Sequence, residues 1–283
     1  MAEVEPLSPG DRGADSSGLA SETAISLIAF AEGGEAPRPR PPEATLERQL
    51  VLHRARSIIA LVGVVPVVDY NGADSERRLR DIAWLAPRVR RHAELVEWMT
   101  RWSSVFPAPF GTLYSSLDNL TAFMHAHEAT IAAFLRAVAD KEEWELRGLA
   151  HFDGPDALDQ LACDAWPDWR ELSKGARYMR LCRDKSALLG LARSEAAAFV
   201  DDFVARLPPL TSDTRPLGLP CAPPPGGREP VARYALLMAK TNVAAIKSRI
   251  REIAPTASGR RVALALSGPW PPFSFRPDLK RPN

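Results

Sequence analysis

The stretch Glu142–His151, EEWELRGLAH, alternates apolar and charged side chains, with Trp144, Leu146 and Leu149 as its apolar members. Such alternation marks a strand with one face buried. Downstream, Asp184 is placed to cap a long helix ending at Leu207, where Pro208 and Pro209 stop it. Its core face includes Leu188, Ala192, Phe199, Phe203 and Leu207. Leu210–Arg215 reads as a short strand, residues 216–230 as a loop rich in proline and glycine, and Val231–Ala239 as a strand. Thr241 or Asn242 then caps a helix with Val243, Ile246, Ile250 and Ile253 on one face, ending before Pro255. Arg260–Leu266 is the final strand. Strand, helix, weak strand, strand, helix, strand is the ferredoxin-like order, with two helices on one face of a four-stranded antiparallel sheet.

Upstream of that unit the chain also mixes strands and helices. Thr23–Ala31 is a short apolar run, read as a first strand, and Gln49–His53 and Ser57–Val68 suggest two more. Pro37, Pro39, Pro41 and Pro42 take the intervening connector out of any ladder, and Asn71-Gly72 signals a turn. From Ser75 to Trp102, Ile82, Leu85 or Ala86, Val89, Ala93, Val96 and Met99 recur with helical period, interrupted by Pro87. Two helices or one kinked helix fit that pattern. Ser103–Ser116 is extended around Pro107 and Pro109, with Gly111 available for a bulge or close backbone approach. Ser116 caps a helix with the stripe Leu117, Leu120, Met124, His127, Ile131, Leu135 and Val138.

The expectation is therefore an α+β protein of two domains. Residues 1–21 form a disordered leader, 22–140 a mixed α+β domain, 141–266 the ferredoxin-like domain, and 267–283 an extended tail of prolines and aromatics.

Composition narrows the function classes. Of 283 residues, 46% are hydrophobic and 25% charged, enough for a real core on a soluble chain. With 36 basic and 35 acidic side chains the net charge is +1, so no global field attracts a nucleic acid or an anionic membrane. The first 21 residues carry Glu3, Glu5, Asp11 and Asp15 against Arg12, unlike a secretory signal. Ser57–Val68 is too short to span a bilayer. A cytoplasmic protein is expected. Cys163, Cys182 and Cys221 lie far apart with no C-x-x-C pair, so neither a disulfide framework nor a zinc knuckle follows.

Local chemistry signals are few. His125 and His127 are two apart on a helix and point to different sides, and His127 lies on the apolar stripe, so a packed histidine is favoured over a metal ligand. His92, Glu94 and Glu97 do not make H-E-x-x-H, and Gly33-Gly34 leads into prolines where a phosphate loop needs a helix start. An enzyme or ligand-binding protein on a ferredoxin-like scaffold is one alternative, because a site assembled from distant residues leaves no local motif. A nucleic-acid binder is another, through Arg77, Arg78, Arg80, Arg88, Arg90 and Arg91 on the helices of 75–102. The solvated face of an amphipathic helix explains these arginines equally well.

The carboxyl end is different. Pro269, Pro271 and Pro272 stiffen the backbone, while Trp270, Phe273 and Phe275 bring large apolar surfaces that must dock somewhere, on the chain's own sheet or on a partner. The segment Leu266–Phe275, LSGPWPPFSF, closely resembles the terminal TGPWPPYSF of the GvpF/GvpL gas vesicle proteins. Val105–Thr112, VFPAPFGT, resembles that family's VLPxRFGT, and it follows a helix carrying His92 and Val96 in a similar H…VxE pattern. Trp144 in KEEWELRG and Tyr178 in GARYMRLCRDK are similar to further family segments. One departure is Pro109, which stands where the family usually has arginine and removes a charge and a donor.

The resemblance implies a two-domain protein needed to build gas vesicles, cytoplasmic and associated with them. It implies partners in the small hydrophobic shell protein GvpA and other accessory proteins, and no cofactor, metal or catalytic residue. Candidate partner-binding residues are Phe106, Phe110, Gly111 and Thr112 in one segment and Trp270, Phe273 and Phe275 in the tail.

Overall fold

The computed structural model describes residues 23–33, 39–70, 74–152, 155–220 and 228–279. The leader, the Asn71-Gly72 turn, Gly34, Cys221 and parts of both proline-rich segments lie outside the described residues.

The chain opens with β1 (Thr23–Glu32), β2 (Gln49–Ala55) and β3 (Ile58–Pro66), followed by helices α1 (Ser75–Arg80) and α2 (Ile82–Thr100). Short strands β4 (Val105–Pro107) and β5 (Leu113–Tyr114) lead into α3 (Leu117–Ala137). These strands form one antiparallel sheet in the order β2-β3-β1-β4, with β5 also paired to β1. A bulge between Leu27 and Ala29 shifts the alternation of β1. Leu27 and Phe30 consequently face α3, while Ala29 and Ala31 face α2. Ser116 caps α3 as expected, its hydroxyl accepting from the Asn119 amide at 3.2 Å.

The helical stretch 75–102 breaks at Asp81, whose carboxylate caps Ala83, and not at Pro87. Pro87 is accommodated inside α2 on its exposed side, where water can take the freed carbonyl. The buried face of α2 is His92, Leu95, Val96 and Met99. The expected face fails toward the amino end, where Ile82 is 77% and Val89 42% exposed, because that end does not lie over the sheet.

The second half begins with β6 (Lys141–Ala150), then α4 (Pro155–Ala165) and α5 (Lys174–Val204). It continues with β7 (Asp213–Pro216), β8 (Glu229–Ala239), α6 (Val243–Gly259) and β9 (Val262–Trp270). The strand order β7-β8-β6-β9, antiparallel throughout, is the ferredoxin-like arrangement. Trp144, Leu146, Leu236 and Met238 on one face pack with Leu188, Ala192, Val200, Phe203 and Ile246 of the helices.

The helices of this half differ from the sequence reading. α5 starts at Ser173, which caps Ala176, and Asp184 sits within it, held by Arg183 at 2.9 Å. α4 was not expected at all. α6 runs through Pro255, again exposed, so the lost amide faces solvent.

The opposite face of this sheet is not left to water. Ala235 and Leu237 of β8 join Phe30, Phe106, Phe123, Phe134 and Leu135 in a single apolar cluster. The two sheets therefore share a core, with Phe275 from the carboxyl end completing it.

Candidate partner-binding surface

The segment after β4 is a tight turn. The Thr112 amide donates to the Pro109 carbonyl at 3.2 Å, and Gly111 takes φ +82°. A four-residue turn with positive φ at its third position is type II, which favours glycine there. No heavy atom comes within 4 Å of a Cβ built on Gly111, so the backbone angle is what calls for glycine and no close approach is involved. The Ala108 amide donates to the Ile28 carbonyl and the Leu27 amide to the Thr112 carbonyl, which bind the turn to β1 on both sides.

His92 sets the turn from below. Its Nε2–H donates to the Ala108 carbonyl at 3.0 Å, and its ring meets Phe110 edge-on at 5.8 Å. Burial pushes the imidazole below its usual pKa, against the smaller opposing effect of the Ala108 bond, so the ring is neutral at pH 7. Phe110 also touches Tyr70, whose ring leans on Trp84. Phe110, Gly111 and Thr112 are half-buried, and Pro109 stands exposed. Phe106 lies in the core at 2% exposure, edge-on to both Phe30 and Phe134.

The carboxyl end starts as sheet. β9 runs through Trp270, across a cis Gly268–Pro269 bond, and Pro271–Phe275 then fold back in short turns instead of continuing extended. Pro271 and Pro272 are buried. Phe273 packs against the cluster between α2 and the first sheet, while Phe275, 5% exposed, enters the cluster between the sheets. Ser274 between them is fastened to Glu143, and the Arg215 guanidinium donates to the Ser274 carbonyl at 2.8 Å beside the Phe275 ring. Trp270 alone among these rings stays in solvent, 43% exposed.

The seven candidate residues thus divide. Phe106 and Phe275 are core, Phe110, Gly111, Thr112 and Phe273 are half-buried, and Trp270 is exposed. Of the two residues that fasten these segments, His92 stands in the H…VxE pattern noted in the sequence, whereas Glu143 carries no local motif. For Glu143 the available signal was its place on a strand with buried faces, since a charged residue there needs a partner.

The other sequence candidates resolve into packing. His127 packs at a tilt against Phe123, ring centroids 4.5 Å apart, and Glu128 binds Arg56 and Ser57. Among the described residues no three metal-ligating side chains converge. Five of the six arginines singled out in the sequence are in ion pairs: Arg77 with Asp74, Arg78 and Arg88 with Asp69, Arg80 with Glu76, and Arg91 with Glu47. Arg88 also lies 3.9 Å over Trp84. No helix among the described residues is long and apolar enough to cross a membrane.

Comparison with known proteins agrees with this architecture. The chain is 25% identical over 246 residues to gas vesicle protein L of Streptomyces sp. (strain CB03234), covering 86% of this chain and 84% of that one. The crystal structure of GvpF from Anabaena sp. PCC7120 superposes with a TM-score of 0.62 at 13% identity, over 92% of this chain and 99% of the other. GvpF from Microcystis aeruginosa gives 0.54 at 11% identity, over 90% and 99%. The family model described as gas vesicle synthesis protein GvpL/GvpF matches residues 27–277, and this chain belongs to that family.

Proposed function

We propose that this chain is an accessory factor of gas vesicle assembly that binds the small hydrophobic shell protein GvpA, in the cytoplasm and beside growing vesicles, without catalysing a reaction. The observation that supports this reading is the match to a gas vesicle synthesis family over nearly the whole described chain. Shell subunits that polymerise into a water-excluding wall carry apolar faces and unpaired strand edges before assembly, and such surfaces aggregate unless covered. In this reading residues 22–140 and 141–266 act as two domains. The turn at Phe110–Thr112 and the exposed Trp270 are the contact points, while Phe106, Phe273 and Phe275 hold them in place.

Co-expression with GvpA tests the proposal. Soluble GvpA is expected to rise and to co-purify with the chain, and deletion of its gene is expected to abolish buoyancy. Normal vesicles in the deletion strain, or GvpA that stays insoluble beside abundant chain, would overturn it.

A further inference from the structure

Among the described residues the two sheets leave four strand edges open, and three of them are blunted. β4 and β5 are three and two residues long. β7 has four residues and carries Asp213, Arg215 and Pro216. β2 carries Arg54, which donates to the Gly33 carbonyl, and His53, which bonds Thr121 of α3. Short length, charge and proline are the usual guards against edge-to-edge pairing.

β9 has no such guard before Pro269. Among the described residues it pairs with β6 on one side only, and Val262–Gly268, VALALSG, holds no charged residue. From Ala263 to Gly268 every residue is half-exposed. Leu264 and Leu266 face the helix side with Ile250 and Ile253 of α6, while Ala263, Ala265 and Ser267 face the other way. A strand added here would need alternate apolar side chains, to continue the layer under α6, and small or polar ones between them.

We infer that the free edge of β9 is a docking edge that accepts an extended, uncharged, alternately apolar strand of a partner protein with acidic flanks. The charge pattern around the edge sets that identity. α6, which lies against β9, bears Lys247, Arg249 and Arg251 against the single acid Glu252, and Arg260 stands at the start of the strand beside Arg261, which is paired with Asp164 at 2.9 Å. Two copies of this chain joined through β9 would set these basic helices side by side, which is unfavourable. One added strand also buries much less than the about 800 Å² per partner of a standard stable interface. An acidic-flanked segment gains from the same charges that repel a second copy.

The test rests on the proposed function only for its probe, GvpA, and uses the full chain. Ala265→Glu places a carboxylate on the open edge directly across from Arg147 of β6, so the fold tolerates it by gaining a cross-strand ion pair. The variant is expected to keep the wild-type Tm and circular dichroism and to hold about tenfold less soluble GvpA in co-expression. Amide exchange at 262–267 is expected to slow when GvpA is bound to the wild type. Equal retention by A265E, or unchanged exchange in the loaded wild type, would overturn the docking edge and leave the assembly role standing. Failure of the wild type to hold any GvpA would overturn both. A wild-type dimer in sedimentation that A265E converts to monomer would show that a second copy covers the edge, and would also overturn the inference.

Discussion

Glu143 on β6 accepts two hydrogen bonds from Ser274 near the carboxyl end, 2.9 Å from its amide and 2.6 Å from its hydroxyl. Glu143 is 6% exposed and stands on the sheet face shared with the first half, opposite Leu237. The contact fixes the one residue between Phe273 and Phe275, and those two rings enter different cores. A polar pair thus determines where two apolar anchors land.

Burial raises the Glu143 pKa, and the bonds from Ser274 only partly offset it. An acid raised in the folded state binds its proton more tightly there than in the unfolded chain. Its stabilising contribution is full below the ordinary carboxylate range, about pH 4.3, and is lost as pH rises through the raised folded value. Glu143→Gln removes this slope while keeping an acceptor for the Ser274 amide. Thermal unfolding followed upward from about pH 4 should therefore show the variant losing less stability than the wild type. Glu143→Ala leaves the Ser274 amide without its acceptor and should cost about 1–3 kcal/mol.

His92 gives a slope of the opposite sign. Its pKa is lowered by burial, so the unfolded chain takes up the proton first as pH falls. The wild type should lose stability progressively below about pH 6.5 on this account. His92→Gln can still donate to the Ala108 carbonyl but does not titrate. Its unfolding free energy, measured by denaturant titration between about pH 5 and 7, should vary less than that of the wild type.

Much of the fold was legible in the sequence because strand alternation and caps are local. Trp144 and Leu146 gave β6 its face, Ser116 its helix start, and the proline-rich segments the ends of elements. The first turns of α5 were not legible, because residues 173–187 are mostly exposed and carry no steady apolar stripe. Pro255 misled for a physical reason that Pro87 shares: proline inside a helix is tolerated where the carbonyl it orphans can reach water. The candidate surface was only half legible. Bulky rings on a stiff tail announce that something is covered, but whether they cover the chain itself depends on Glu143, 131 residues away from Ser274.

Gly148 marks the closest approach of β6 to α5. A Cβ there would fall inside the van der Waals envelope of Val200 Cγ2, and Val200 is fully buried. Valine has little rotameric freedom in a helix, so it cannot swing aside. Gly148→Ala should destabilise the protein by about 1–3 kcal/mol through overpacking. Adding Val200→Ala makes room for the new methyl, so the double variant should be more stable than the sum of the two single changes allows. A double-mutant cycle in denaturant unfolding measures that coupling.

Trp270 and Phe275 separate the two roles of the carboxyl end. Phe275 is 5% exposed within the cluster that joins the sheets, so Phe275→Ala removes a large core side chain and should cost about 3–5 kcal/mol. Trp270 is 43% exposed, and truncating it opens no core cavity. Trp270→Ala should leave unfolding within about 0.5 kcal/mol of wild type. Under the proposed function the same variant should lower retention of GvpA in co-expression, since an exposed tryptophan is the residue type that most often anchors a partner. The two measurements are independent: a W270A chain that unfolds like wild type and holds GvpA equally well removes Trp270 from the contact surface. A chain that loses several kcal/mol instead shows that its indole belongs to the fold.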